Sequence, residues 1–137
     1  MKFDTEKLKS IAEQYNLLLI ILFGSQARDE KTHTSDIDIA VLAHNAKLIK
    51  NAKNMLSLLF DLQSSAIDSG DVDLVILNSA SPFLKYQVAM EGIALYEQSE
   101  DLFLEFAIGA MKEYEDVRHF DKYYQEIIED FIKEAYD

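Results

Sequence analysis

The chain has 137 residues, 49% of them hydrophobic, with no cysteine and a formal charge of −12 from 25 acidic against 13 basic side chains. That length suits one domain with a sizeable core and that apolar share excludes disorder, while the missing cysteines exclude disulfides and thiolate metal sites and leave hard oxygen ligands for any metal. So negative a surface repels a phosphate backbone, which argues against direct nucleic-acid binding and favours a basic protein partner or a divalent cation that reverses the local field.

The chain opens with a helix that Asp4 can cap, in which Leu8, Ile11, Ala12 and Tyr15 recur at helical spacing and Asn16 is a stop. Met1-Lys2-Phe3-Asp4 leads straight into this acidic amphipathic segment, so no signal peptide is expected. Leu17 to Phe23 is the longest apolar run, a strand buried on both faces and far short of the roughly 18 residues that span a bilayer. No membrane role and a cytoplasmic location are therefore expected. Gly24-Ser25 breaks the strand, Asp29 to Ser35 is a polar loop, and Asp36 to Ala43 is a second strand.

A helix is expected from Asn45, with Leu48, Ile49, Ala52, Met55, Leu56, Leu59 and Phe60 on one buried stripe, ended by the loop Ser64 to Gly70. Val72 to Leu77 reads as a third strand. Pro82 opens a short helix that runs to Glu91 and that Gly92 terminates, and Ile93 to Tyr96 is a short edge strand. Ser99, with Glu100 and Asp101 behind it, is a helix start signal, and apolar residues keep helical spacing from Phe103 to Ala135, with a break expected near Arg118 to Asp121. The fold class that results is α/β (or α+β): helices around a mixed sheet, with residues 1–97 as the sheet-containing core and 98–137 as a helical part. Tyr114, Tyr123, Tyr124 and Phe131 give that part aromatic surface suited to an interface. Packing on the protein's own sheet or against a second copy would use the same residues.

The chemistry sits at the strand mouths. Side chains alternate along a strand, so Asp36 and Asp38 share one face while Ile37, Ile39 and Val41 take the other. Two dry, unpaired carboxylates so close repel each other, and a divalent cation removes the conflict. Asp73 stands near the start of the third strand; if the second and third strands are neighbours, three carboxylates converge, enough for two metal ions that clamp the attacking and leaving oxygens of a displacement at phosphorus. Gly24 lets the backbone approach a phosphate, Ser25 offers a hydroxyl and an amide, and Arg28 can add a charge-assisted contact to a triphosphate. His33 and His119 are lone histidines in polar surroundings and are expected to take no part.

In this order, "GSQARDEKTHTSDIDIAVL" resembles the Gly-Ser-x10-Asp-x-Asp signature of the DNA polymerase β-like nucleotidyltransferases. In particular, the chain is similar to the minimal nucleotidyltransferases (MNT) that act as antitoxins beside HEPN-type toxins. "DVDLVIL" and "LKYQVAMEGIALYE" extend the resemblance over most of the chain. It implies a mixed-sheet nucleotidyltransferase core, two Mg²⁺ ions and ATP. Gly24 and Ser25 would hold the triphosphate, Asp36 and Asp38 would ligate both metals, and Asp73 would ligate the catalytic metal and help activate the incoming hydroxyl. It also implies transfer of AMP to a tyrosine of a cognate HEPN ribonuclease. One departure is Asp29, where the family pattern has glycine after the residue matching Arg28; it makes the loop stiffer and more acidic.

Other readings of the aspartates fit less well. A haloacid-dehalogenase phosphatase carries Asp-x-Asp at the end of an apolar strand, whereas Lys31 to Ser35 are polar here. A glycosyltransferase needs more chain, and no Walker-type Gly-x4-Gly-Lys-Ser/Thr is present. A non-catalytic antitoxin that only masks its toxin, and an aminoglycoside-type nucleotidyltransferase, remain open at this point.

Overall fold

Asp4 accepts hydrogen bonds from the backbone N–H groups of Glu6 and Lys7 (3.1 and 3.2 Å), satisfying donors that the first helical turn leaves without partners. The helix it caps, α1 (Thr5–Tyr15), buries Leu8, Ile11, Ala12 and Tyr15 and stops at Asn16, which takes the left-handed conformation (φ 55°). A computed structural model of the chain describes residues 2–24, 27, 36–67 and 70–136. After α1 come β1 (Leu17–Phe23), β2 (Ile37–Ala43), α2 (Ala52–Ser65), β3 (Val72–Ile76), α3 (Pro82–Glu91), β4 (Ile93–Glu97) and α4 (Leu102–Tyr136), with short 3-10 turns at Ala46–Leu48 and Leu77–Ser79.

The four strands form one mixed sheet in the order β3-β2-β1-β4. β1 is antiparallel to both β2 and β4, and β2 and β3 are parallel, which is why a helix, α2, has to connect them. One face carries Ile20, Ile37, Ile39, Val41 and Val72, packed against α1 and α2 through Leu8, Ile11, Leu58 and Leu62. The other carries Leu19, Ile21, Phe23 and Ala40, packed against α3 and α4 through Val88, Leu84, Phe103 and Phe106. Tyr15 closes the first layer by bonding with Ser57 Oγ (2.6 Å) and donating to Asp61 Oδ2 (2.8 Å). Burial pushes its phenol above the usual range, as does Asp61, while the Ser57 bond opposes the shift.

Several local expectations change. The helix expected from Asn45 is divided into the 3-10 turn and α2, which restarts at Asn51, whose side chain accepts from Lys53 N–H (2.8 Å). The restart shifts the phase, so α2 buries Leu58, Leu62 and Ser65, and leaves Leu56 and Phe60 exposed (56% and 67%). β2 begins at Ile37, one residue later than expected, and β3 ends at Ile76. Gly92 follows α3 as expected but at φ −74°, so it is not a left-handed cap; a Cβ there would collide with the Val88 carbonyl and with Ile21 Cγ2. The last helix starts at Leu102, three residues beyond Ser99: Asp101 takes φ 65°, and Glu97 Oε1 accepts from Phe103 N–H (2.8 Å) in place of a local serine cap.

The break expected near Arg118 does not occur. α4 is one helix of 35 residues. No proline or glycine lies between Met111 and Tyr136, Glu115 pairs with Arg118 and with His119 one turn on, and Phe120 stacks on Tyr124 at helical spacing. The Arg118 guanidinium holds the Glu115 carboxyl below its usual range. The first part of α4 packs on α3, where Tyr86 stacks on Tyr114 (centroids 4.2 Å apart) and Lys85 reaches Glu113 (2.7 Å). Beyond Glu115 the helix is exposed except at half-buried Ile128. Among the described residues, no helix is long and apolar enough to cross a membrane.

Candidate functional site

Phe23 of β1, Asp38 of β2 and Asp73 of β3 are register partners across three adjacent strands. Neighbouring strands lie about 4.8 Å apart, and residues in register share a face, so Asp38 and Asp73 stand side by side. They lie on the face that α3 and α4 cover further along, where Ala40 and Leu42 are packed. The carboxylates begin where that covering ends: Asp38 is half-buried, and Asp73 and Asp36 are exposed. Asp36 lies just before β2, outside its ladder.

The neighbouring strands expected from the sequence are thus present, and they bring Asp38 and Asp73 together. Among the described residues no three acidic or histidine side chains form a closed ligand set. The expected convergence of three carboxylates is realised as a pair, with Asp36 at the mouth of β2. Ser25, Arg28 and His33, with the loop Asp29 to Ser35, lie outside the described residues.

Gly24 ends β1 at φ 75°, a conformation open to glycine at no steric cost, and a Cβ there would run into Asp38 Oδ2. The glycine is therefore required twice, for its backbone angle and for the close approach of the chain to the carboxylate. One further acidic residue escaped the sequence reading. Asp71 is exposed just before β3, and its carbonyl accepts from Ile37 N–H (2.8 Å), so it runs beside the Asp36–Ile37 segment. The signal was in the sequence: Asp71-Val72-Asp73 repeats the spacing of Asp36-Ile37-Asp38 on the neighbouring strand.

Like charges side by side on adjacent strands destabilise a sheet. A divalent cation turns that repulsion into attraction, and the donors here are all hard oxygens, the set that Mg²⁺ prefers. Hard carboxylate oxygens gathered on the uncovered end of a rigid sheet face fit a divalent metal ion with bound phosphates. A cavity of about 400 Å³ lies elsewhere, between Leu42, Asn78, Lys85, Phe106 and Glu113. A second, of about 230 Å³, is lined by Met55, Leu56, Leu59, Val72, Asp73 and Leu74.

The profile of the family described as "Polymerase beta, Nucleotidyltransferase" matches residues 6–101. A protein adenylyltransferase MntA of Shewanella oneidensis is 40% identical over 116 residues, 85% of this chain and 77% of its own. Another protein adenylyltransferase MntA, from Aphanizomenon flos-aquae, is 30% identical over 122 residues, 85% of this chain and 81% of its own. Among solved structures, a crystal structure of a toxin–antitoxin with AMP-PNP superposes with a TM-score of 0.69 at 34% identity, over 94% of this chain and 98% of that one. A structure of tri-AMPylated Shewanella oneidensis HEPN toxin in complex with MNT antitoxin gives a TM-score of 0.61 at 35% identity, over 94% and 96%.

Proposed function

Since the chain belongs to the polymerase beta nucleotidyltransferase family, we propose that it is a protein adenylyltransferase that acts as an antitoxin, moving AMP from ATP to a tyrosine hydroxyl of a cognate HEPN toxin. The observation that carries this reading is the in-register pair Asp38–Asp73 beside Gly24 on an open sheet face. In the reaction the tyrosine oxygen forms a bond to the α-phosphorus of ATP, the bond from that phosphorus to the β-bridging oxygen breaks, and pyrophosphate leaves. Asp36 and Asp38 would hold two Mg²⁺ ions with the triphosphate, and Asp73 would help to hold one of them. Mg²⁺ supplies charge neutralisation at the phosphates and a Lewis acid for both oxygens in the displacement. Gly24 and Ser25 seat the triphosphate, Arg28 adds a positive contact, and Asp73 faces the incoming hydroxyl and accepts its proton.

The rigid part of this device is the sheet. β2 and β3 are fixed by their ladder and by the layer beneath, so Asp38 and Asp73 need no reordering when substrate arrives. Residues 1–97 are the catalytic core in this reading. Residues 98–137 provide the partner surface, through Val117, Phe120, Tyr124 and Phe131, which are exposed on α4. The acidic balance of the chain and the absence of a spanning helix among the described residues suit a cytoplasmic partner protein.

The exposed half of α4 also favours a second reading, in which the chain only binds and masks its toxin. One experiment separates the two: incubate the chain with the HEPN protein, Mg²⁺ and ATP labelled at the α-phosphate. Label on a partner tyrosine, lost in the Asp36→Asn/Asp38→Asn double variant, supports transfer. Neutralisation without any label supports masking alone.

A further inference from the structure

The mismatch in α2 points to the acceptor. Leu56 and Phe60 look like core residues in the sequence, yet both are exposed. Leu56 stands with Met55 and Leu59 along a groove whose other wall is Val72, Asp73 and Leu74 of β3. Among the described residues, β3 is the outer strand of the sheet. Because Ile37 N–H bonds to the Asp71 carbonyl, the alternation of a parallel ladder turns the backbone groups of Asp71 and Asp73 toward β2. Those of Val72, Leu74 and Ile76 face the open edge. The groove, at about 230 Å³, is smaller than the roughly 300–1,000 Å³ of a small-molecule site and suits one side chain.

On the adenylyl-transfer reading, the tyrosine hydroxyl has to reach the carboxylate of Asp73, a residue that borders this groove but whose register places its side chain on the opposite face of the sheet, under α3 and α4. We infer that the acceptor segment of the partner adds to the outer edge of β3 as a fifth strand. Strand alternation then divides its side chains between two faces. The tyrosine lies beside Asp73 on the carboxylate face, and an apolar residue next to it in sequence enters the groove of Met55, Leu56 and Leu59. Asp71 and Asp73 at the start of the edge favour lysine or arginine elsewhere in the segment. Acceptor choice therefore rests on backbone pairing and one apolar contact, with Leu56 as a specificity-determining residue that touches no reacting atom.

The test uses the full chain, the purified HEPN partner and Mg²⁺. With α-labelled ATP, Leu56→Lys should raise the KM for the partner about tenfold, the factor associated with one buried aliphatic contact, and leave the KM for ATP unchanged. Leu56 is more than half exposed, so the variant keeps its fold. In parallel, the wild-type chain labelled at its methionine methyls is titrated with the partner in the presence of an ATP analogue that cannot be cleaved between its α and β phosphates. The Met55 signal should move. Label on a tyrosine combined with an unchanged KM in Leu56→Lys and an unmoved Met55 signal would overturn the inference and leave the transfer reading standing. A wild-type chain that labels no tyrosine overturns both.

Discussion

The two faces of the sheet divide the work. Under α1 and α2 the apolar surface runs unbroken along β2 from Ile37 to Ala43, and every residue of that row is fully or almost fully buried. Under α3 and α4 the row on the same strand starts apolar at Leu42 and Ala40 and then changes to Asp38, with Asp36 just before the strand. One strand therefore has a stability face and a chemical face, offset by one residue. The difference teaches that carboxylates can stand at the mouth of the strand without loosening the sheet, because the opposite face supplies the burial. Substitutions on the two faces should separate stability from activity.

The sharpest test of that separation is Asp38→Asn. Transfer should fall by roughly a thousandfold or more, since a metal clamp contributes several kcal/mol to the transition state. The melting temperature should change far less than transfer does; a melt that collapses with activity would mean that Asp38 is structural. On the other face, Leu62→Ala removes a fully buried side chain and should cost about 2–5 kcal/mol in a urea titration. Transfer per folded molecule should stay the same.

Gly24→Ala lies on the boundary between the faces. The left-handed angle alone costs about 1–2 kcal/mol, and the added methyl meets Asp38, so both stability and transfer should drop. Loss of stability with full activity would show that the close approach is incidental. The smallest effect is expected for Tyr15→Phe, which gives up the bonds to Ser57 and Asp61 for about 1 kcal/mol. Because the folded state raises the Tyr15 pKa above 10.0, its contribution is complete below that pH and is lost as pH rises through the raised value. Chemical denaturation between neutral and strongly alkaline pH should show this decline, and the Phe variant should lack it.

Features set by neighbouring residues were legible in the sequence. The Asp4 cap, the Asn16 stop, the bounds of β1 and the start of α3 at Pro82 all rest on local backbone chemistry, and all are found. That Asp38 stands beside Asp73 only needed β2 and β3 to be neighbours. What the sequence hid depends on distant partners. The start of α4 is set by Glu97, six residues before Phe103, and by the angle at Asp101. The buried side of α2 depends on where the helix restarts after the 3-10 turn, which apolar spacing alone does not reveal. Gly92 looked like a helix stop, and its tight packing against Val88 and Ile21 became visible only once α3 and β1 were in contact.

The continuity of α4 has a hydrodynamic consequence. From Glu115 to Tyr136 the helix extends about 33 Å at 1.5 Å per residue, with almost no cover from the rest of the chain. A compact chain of this length has a radius of gyration of roughly 14 Å. The isolated protein should exceed that value in small-angle scattering and tumble anisotropically, a rod attached to a sphere. Truncation after Tyr114 should bring it back to the compact value, so the arm can be measured as a shape before any partner is added.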